Sequence, residues 1–300
     1  MKKIIRSFFA LFIVLTIGIS GALAQNIKPA GEKAGTDKNG NPVYQVDANG
    51  IKIGYELIGS GDPLIMIMGL GGTMEDWPKE AINILSKRYQ LILMDNRGMG
   101  YSTADEAPFT YELFASDIIS LLDALKVRRT NVLGFSMGST VTQWLLLKYP
   151  ERFNRAIIYA TSTDGSSVVK ALEGKTPDNP IITRQIEATA RWKTPLTELP
   201  SIDKQVMLLV GTADTVVGTE SSKMLASAIP GAWLVQFPGK THRLMNEAPE
   251  EFSRIVVVFL EISKALGPDE PPENVKAPES VEQPEIQPAL SADNQESQTR

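Results

Sequence analysis

Three residues of this 300-residue sequence have the types and the order needed for nucleophilic catalysis. Ser136 is the serine of a G-x-S-x-G segment at residues 134–138, Asp214 follows a later apolar run, and His242 is the one histidine of the chain. A serine hydroxyl becomes a strong nucleophile when an imidazole removes its proton, and a carboxylate holds that imidazole in the required tautomer. The sequence therefore predicts a catalytic triad of Ser136, Asp214 and His242, which is suited to acyl transfer.

Each of these residues also has a simpler interpretation. The serine could belong to an ordinary turn, Asp214 could cap a helix, and His242 could lie on the surface. Asp164 follows another predicted strand and is a rival for the triad carboxylate. The triad is favoured because Ser136, Asp214 and His242 each follow a separate predicted strand in the order expected for this motif.

A glycine-rich turn supplies candidate hydrogen-bond donors for a substrate oxygen. Gly69 and Gly71 let the backbone approach the substrate, and the N–H of Leu70 is placed to donate to a developing oxyanion. The N–H of Met137, at the start of the helix after the serine, is the second candidate donor. A phosphate-binding loop is excluded because no lysine follows in the G-x-x-x-x-G-K spacing.

Large apolar side chains near these segments are candidates for an acyl-binding pocket. Trp77 and Phe135 are predicted to contact the substrate, and four other apolar residues could line the same pocket: Met74, Met137, Trp192 and Leu244. No arginine or lysine marks a clamp for a carboxylate or a phosphate. The sequence therefore predicts a substrate with a small to medium, uncharged acyl group.

The surrounding sequence alternates apolar runs with amphipathic segments. The apolar runs predict strands buried on both faces, at residues 64–68, 91–94, 131–133, 156–159, 206–210 and 233–237. The amphipathic segments predict helices, at residues 75–87, 111–125, 141–149, 221–229 and 252–266. An Asn-Gly pair predicts a preceding hairpin of residues 43–47 and 51–58. This alternation predicts an α/β fold in which the carboxyl ends of parallel strands carry the site.

The two ends of the chain differ in composition from the middle. Residues 1–24 have the cationic start, apolar run and small-residue cleavage pattern of a secretory signal peptide, with an uncleaved anchor as the alternative. Residues 25–42 are predicted to be a flexible leader, and the acidic, proline-rich residues 267–300 a disordered tail. One domain remains at residues 43–266, with a short lid at residues 162–204. We expect export to the periplasm, the cell envelope or the outside of the cell.

Composition excludes several classes of function. The chain has no cysteine and a single histidine, so no thiolate or multi-histidine metal site is available, and no metal or cofactor is predicted. A net charge of −5 without a basic cluster beyond the N-terminus argues against binding of nucleic acid. The expected partner is a small-molecule ester, with membrane contact only through an uncleaved N-terminal segment, and the oligomeric state is left open.

The sequence resembles the α/β-hydrolase-fold serine hydrolases over residues 43–266. Besides the G-x-S-x-G segment, residues 95–102 are similar to the family's D-x-R-G-x-G-x-S segment, whereas the usual His-Gly before the oxyanion turn is Met68-Gly69 here. The resemblance implies a mostly parallel sheet with helices on both faces, a small lid and an esterase-like enzyme. The same triad supports perhydrolysis, acyl transfer, thioester or lactone hydrolysis and lyase chemistry. A non-catalytic envelope binding protein is a further alternative.

Overall fold

The computed structural model describes residues 26–174 and 177–266. These residues form nine strands: β1 (Glu32–Thr36), β2 (Pro42–Ala48), β3 (Ile51–Ile58), β4 (Asp62–Ile67), β5 (Tyr89–Met94), β6 (Thr130–Phe135), β7 (Phe153–Tyr159), β8 (Gln205–Gly211) and β9 (Trp233–Phe237). They also form eight α-helices: α1 (Lys79–Leu85), α2 (Tyr111–Ala124), α3 (Met137–Lys148), α4 (Ser166–Ala171), α5 (Pro180–Arg191), α6 (Glu220–Ala228), α7 (Leu244–Glu247) and α8 (Pro249–Leu266). The predicted signal peptide and the predicted tail lie outside the described residues.

The strands form one sheet in the order β1-β2-β3-β5-β4-β6-β7-β8-β9. Strands β1, β2 and β3 pair antiparallel, β3 also pairs antiparallel with β5, and the pairs from β5 to β9 are parallel. The chain runs from β4 to β5 on one side and later adds β6 on the other side of β4. Loops that leave β4 and β6 therefore diverge, which opens a crevice at the carboxyl ends of these neighbouring strands.

Helices cover both faces of the sheet. Apolar residues of α2 and α3 pack on one face, and those of α1 and α8 pack on the other. The central strands β5 and β6 are buried along their whole length, as expected for strands between two helical layers. The predicted α/β fold with a mostly parallel sheet is confirmed. Among the described helices, none has both the length and the apolar character required to cross a membrane.

The prediction of a flexible leader at residues 25–42 is wrong for its described part. Strand β1 pairs with β2 at the edge of the sheet, and Asp37 closes the turn between them by accepting the N–H groups of Asn39 and Asn41. The hydroxyl of Tyr55 donates to the carbonyl of Ala30. An edge strand is stabilised by backbone hydrogen bonds and by such turns, which do not require apolar side chains. The polar composition of this segment therefore gave no indication of a strand.

The small lid is the connection between β7 and β8. It carries helices α4 and α5. Thr163 and Lys193 flank these helices, and the N–H of Thr194 donates to the carbonyl of Thr163. The lid therefore leaves the sheet and returns to it at nearly the same place, beside the carboxyl end of β7.

A buried carboxyl group lies on the face covered by α1. Glu56 of β3 is 2% exposed, and its Oε1 atom has no hydrogen-bond partner among the described residues. Burial raises the pKa of Glu56 to about 8, with a smaller contribution from the charges of Asp37, Glu75 and Asp95. The folded protein therefore holds this proton to a higher pH than the unfolded chain does.

We expect the free energy of unfolding to fall as the pH rises from about 4.5 to about 8, because the unfolded chain loses the Glu56 proton first. Glu56→Gln should remove this dependence and stabilise the protein by on the order of 2 kcal/mol above pH 8, with little change near pH 4. Urea unfolding at several pH values measures the effect, with the exposed Glu80→Gln as control. Equal pH slopes for the wild type and Glu56→Gln would contradict the assignment.

Candidate active site

Ser136 lies in the sharp turn between β6 and α3. Its φ of 52° and ψ of −118° are strained for a residue with a side chain, and its N–H donates to the carbonyl of Tyr159 at 2.9 Å. A Cβ atom at Gly138 would lie 2.3 Å from the carbonyl oxygen of Ile67, so only glycine fits there. The turn holds the serine hydroxyl clear of the backbone at the carboxyl edge of the sheet.

The loops after β8 and β9 bring Asp214 and His242 to this hydroxyl. His242 Nε2 is 3.0 Å from Ser136 Oγ, and His242 Nδ1 is 2.8 Å from Asp214 Oδ2. Both distances are within hydrogen-bond range. The structure therefore places the three predicted triad residues in one hydrogen-bonded row, although they are far apart in the sequence.

The environment of Asp214 keeps this carboxyl group charged. Burial opposes the charge, but the hydrogen bond with His242 and the N–H groups of Val217 and Val216 outweigh it and lower the pKa of Asp214. Both N–H groups donate to Oδ1, at 2.9 Å from Val216 and 3.1 Å from Val217. Oδ2 is left to accept the Nδ1 proton of His242. Nε2 is then an acceptor for the serine proton, which is the tautomer that a general base needs.

The rival carboxylate does not reach the histidine. Asp164 lies at the start of the lid, where it accepts the N–H of Ser166 at 2.8 Å and precedes helix α4. This bond and a bond from the Ser166 hydroxyl lower the pKa of Asp164. Asp164 therefore forms a turn just before α4, whose N-cap is Gly165.

Tyr159, which sequence analysis missed, fixes the loop that carries His242. Its hydroxyl donates to the carbonyl of His242 at 2.8 Å and accepts the N–H of Met245 at 3.1 Å. Burial raises the pKa of Tyr159, so the hydroxyl keeps its proton. Its ring stacks on Phe135, with 4.7 Å between centroids. The same residue thus joins the end of β7 to the histidine loop.

Tyr159→Phe should lower kcat for an ester substrate by roughly tenfold, with a smaller effect on KM, because the imidazole loses its fixed position. Steady-state kinetics with p-nitrophenyl acetate provides the measurement. Tyr149→Phe, at the end of α3, is the matched control and should keep the wild-type kcat. An unchanged kcat in Tyr159→Phe would show that the loop is held without this hydroxyl.

The predicted oxyanion donors lie beside the serine. Leu70 and Met137 both line the crevice at Ser136, and no hydrogen bond from either N–H to a protein acceptor occurs within residues 26–174 and 177–266. A Cβ atom at Gly69 would be 3.1 Å from Ser136 Cβ, so glycine permits the close approach of this turn. The amide of Asn96 donates to the carbonyl of Met68 at 2.9 Å and holds the turn from beneath.

The lid is tied to the same turn. The N–H of Gly71 donates to Oε1 of Gln185, a fully buried residue of α5, at 2.7 Å. A Cβ atom at Gly71 would lie 3.2 Å from Ile182, so this glycine faces the lid helix. Gly71 is therefore a contact between the turn and the lid, and the crevice itself is lined by its neighbour Leu70.

The crevice at Ser136 is small and rich in hydroxyl groups. Its volume is about 10 Å³. Side chains from both sides of the serine and from the lid line it, namely Leu70, Tyr111, Ser136, Met137, Thr140, Ser162, Val168, Thr189 and Val217. Elsewhere in the described chain, no group of three or more potential metal ligands comes together.

The prediction that Trp77 and Phe135 contact the substrate in an apolar pocket is not supported by the structure. Both side chains belong to the core on the α1 and α8 face, whereas Tyr111 and Met137 of the crevice belong to the core on the opposite face. Phe135 packs against the His242 ring, with 5.1 Å between centroids, and Trp77 packs edge-on behind Phe135. Side chains alternate between the faces of a strand, so Phe135 turns away from the crevice.

Several crevice residues escaped the sequence analysis. Thr140 lies four residues after Ser136 on α3, and this spacing puts it on the side of the helix that faces the crevice. That signal was present in the sequence. Tyr111, Ser162 and Thr189 belong to other elements, and only the packing of α2 and the lid brings them to Ser136.

Comparison with known proteins agrees with the architecture. A family model described as the alpha/beta hydrolase fold matches residues 62–186. The crystal structure of the enol-lactonase from Burkholderia xenovorans superimposes with a TM-score of 0.64 and 24% identity, covering 72% of this chain and 99% of that chain. This structural likeness concerns the fold.

Two curated relatives carry different names. A Synechocystis protein named as a candidate non-heme chloroperoxidase is 33% identical over 139 residues, 46% of this chain and 48% of the relative. The serine hydrolase BPHL of Mus musculus is 23% identical over 250 residues, 72% of this chain and 86% of the relative. The chain spans about half or less of the length of the first curated relatives that it matches. The family model, the solved structure and the curated relatives agree: the chain has the α/β-hydrolase fold and is similar to α/β hydrolases.

Proposed function

We propose that this protein is a serine hydrolase that cleaves carboxylic esters with small acyl groups. The observation that carries the proposal is the row Ser136–His242–Asp214, with hydrogen-bond distances of 3.0 and 2.8 Å. The name of the mouse relative, serine hydrolase, agrees with a nucleophilic serine.

The reaction follows from the directions of these hydrogen bonds. Ser136 Oγ attacks the ester carbonyl while His242 Nε2 takes its proton, and Asp214 stabilises the imidazolium. The N–H groups of Leu70 and Met137 stabilise the oxyanion, each contributing on the order of 3 kcal/mol to the lowering of the barrier. His242 then gives the proton to the leaving alcohol, which forms the acyl-enzyme. Water, activated by the same imidazole, attacks this intermediate and releases the acid.

A fluorophosphonate probe followed by intact-mass analysis tests the nucleophile. We expect one adduct on the wild type and none on Ser136→Ala. Ser227→Ala removes an exposed hydroxyl on α6 and should leave labelling unchanged. Labelling of Ser136→Ala at the wild-type rate would reject Ser136 as the nucleophile.

A substrate panel tests the bond that is cleaved. The panel holds matched acetyl esters, a thioester, a lactone and an anilide, together with p-nitrophenyl butyrate and octanoate. We expect esters to be cleaved fastest, and the octanoate more than tenfold slower than the acetate, because a long chain exceeds the crevice. A clear preference for the thioester or the anilide would contradict the proposed substrate class.

The name of the Synechocystis relative favours one alternative use of the acyl-enzyme. Hydrogen peroxide in place of water would attack the acyl carbonyl, release a peracid and return the proton to Ser136 through His242. In an assay with added hydrogen peroxide and acetate, the peracid would then oxidise a dye in a halide-dependent reaction. Dye oxidation that is faster than ester hydrolysis would favour this alternative over the proposed hydrolysis.

A further inference from the structure

The hydroxyl groups around the crevice point to the class of acyl group. We propose that the substrate carries a short hydroxyacyl group, whose hydroxyl bonds to Tyr111 and Thr140. This inference rests on the proposed ester hydrolysis and names the substrate class of the same site.

The crevice lies on the acyl side of the scissile bond. Leu70 and Met137, the proposed oxyanion donors, line it together with Ser136. The leaving alcohol must lie close to His242 Nε2, because that atom returns the proton to it. His242 is not among the residues that line the crevice, so the crevice extends from the serine away from the leaving group.

The polar lining of the crevice is buried. Tyr111, Thr140, Thr189 and Ser162 are each 5% exposed or less. A hydrocarbon chain that entered beside these hydroxyls would displace water from them and give no hydrogen bond in return, which costs free energy. A group that can donate and accept a hydrogen bond is therefore preferred to a methyl group of the same size.

The directions of the hydrogen bonds show whether the Tyr111 hydroxyl can donate to a substrate or accept from it. Thr189 Oγ1 donates its only proton to the carbonyl of Gln185 at 2.8 Å. In the 3.2 Å contact between Thr189 Oγ1 and the Tyr111 hydroxyl, Tyr111 must then be the donor. Burial raises the pKa of Tyr111 to about 12, so this proton is present at neutral pH. The Tyr111 oxygen keeps a lone pair for a substrate donor.

Thr140 completes the arrangement. It lies on α3, four residues after Ser136, and lines the crevice together with Tyr111. A substrate hydroxyl between Tyr111 and Thr140 can donate to one oxygen and accept from the other, as water does. A volume of about 10 Å³ is also the space that one water-sized group needs, so the crevice selects a hydroxyl on a short acyl chain.

Two esters of the same shape test the proposal. Ethyl 3-hydroxybutyrate and ethyl 3-methylbutyrate differ by a hydroxyl in place of a methyl group, and a pH-stat follows the hydrolysis of both. We expect kcat/KM to be roughly tenfold or more higher for the hydroxy ester, the effect of two hydrogen bonds of about 1 kcal/mol each. Tyr111→Phe and Thr140→Val should each reduce this ratio by about fivefold.

Matched variants control for the loss of any buried hydroxyl. Tyr55→Phe removes the bond to Ala30 far from the crevice, and Thr142→Val removes a bond to the carbonyl of Gly138 on the same helix as Thr140. Both should keep the wild-type ratio. A ratio that falls equally in the controls and in the crevice variants would overturn the assignment of Tyr111 and Thr140.

Binding to Ser136→Ala separates this proposal from the proposed function. This variant holds both esters without cleaving them, and NMR titration should give a roughly tenfold lower Kd for the hydroxy ester. Equal Kd values, or equal kcat/KM values in the wild type, would overturn the hydroxyacyl proposal and leave ester hydrolysis standing. If neither ester is hydrolysed, ester hydrolysis fails, and a preference in Kd still supports the hydroxyl site.

Discussion

Ser136→Ala is expected to lower kcat/KM for a small ester by roughly 10⁴-fold or more, equivalent to about 5 kcal/mol of transition-state stabilisation. The reason is that the alanine variant has no serine hydroxyl from which His242 could take a proton, so no acyl-enzyme can form. The backbone donors of Leu70 and Met137 are left intact, so a small residual rate should remain. The measurement is kcat/KM for p-nitrophenyl acetate after correction for spontaneous hydrolysis.

His242→Ala should give a loss of the same size, because a serine hydroxyl without its base is a weak nucleophile. The double variant Ser136→Ala/His242→Ala should lose little more than either single variant, since the two residues act as one unit. A loss in the double variant equal to the product of the two single losses would show that the two residues act independently. Full esterase activity in Ser136→Ala would reject the mechanism.

The architecture was predictable because its signals are local. Continuous apolar runs such as the one that becomes β6, flanked by glycine and by an amphipathic segment, admit few structures besides a buried strand before a helix. The Asn-Gly turn behaves in the same way: Asn49 and Gly50 both have positive φ, as a two-residue hairpin requires. The edge strand β1 carries no such signal, because its pairing with β2 uses backbone groups that every residue has.

The site was predictable where chemistry restricts the residue type. A serine nucleophile needs an imidazole, and His242 was the only candidate. The carboxylate that holds His242 therefore had to follow a strand whose end lies near the histidine. The crevice walls were not predictable from residue type, because apolar side chains serve the core and a pocket equally well. Trp77 and Phe135 lie in the core on the far face of the sheet. The walls are instead built by Tyr111 of α2 and Thr189 of the lid, whose meeting depends on the tertiary fold.

Asp214→Asn should lower kcat by on the order of 10⁴-fold while leaving the fold intact. The structure gives a specific reason for this loss. Oδ1 of Asp214 accepts two N–H groups, from Val216 and Val217, and an asparagine must keep its carbonyl oxygen at that position. Its NH₂ group would then occupy the Oδ2 position and donate to His242 Nδ1. Nδ1 would become an acceptor and Nε2 would carry the proton, so the imidazole could not take the proton of Ser136.

Asp164→Asn is the matched control for this tautomer argument. The amide oxygen of asparagine can accept the N–H of Ser166 as the aspartate does, so this bond should survive and kcat should fall less than about threefold. Both variants should unfold at urea concentrations close to that of the wild type, which separates a chemical defect from a folding defect. A larger loss in Asp164→Asn than in Asp214→Asn would move the acid of the triad to the lid. Because Asp214 is 2.8 Å from His242 and Asp164 bonds instead to Ser166, we expect the larger loss of kcat in Asp214→Asn.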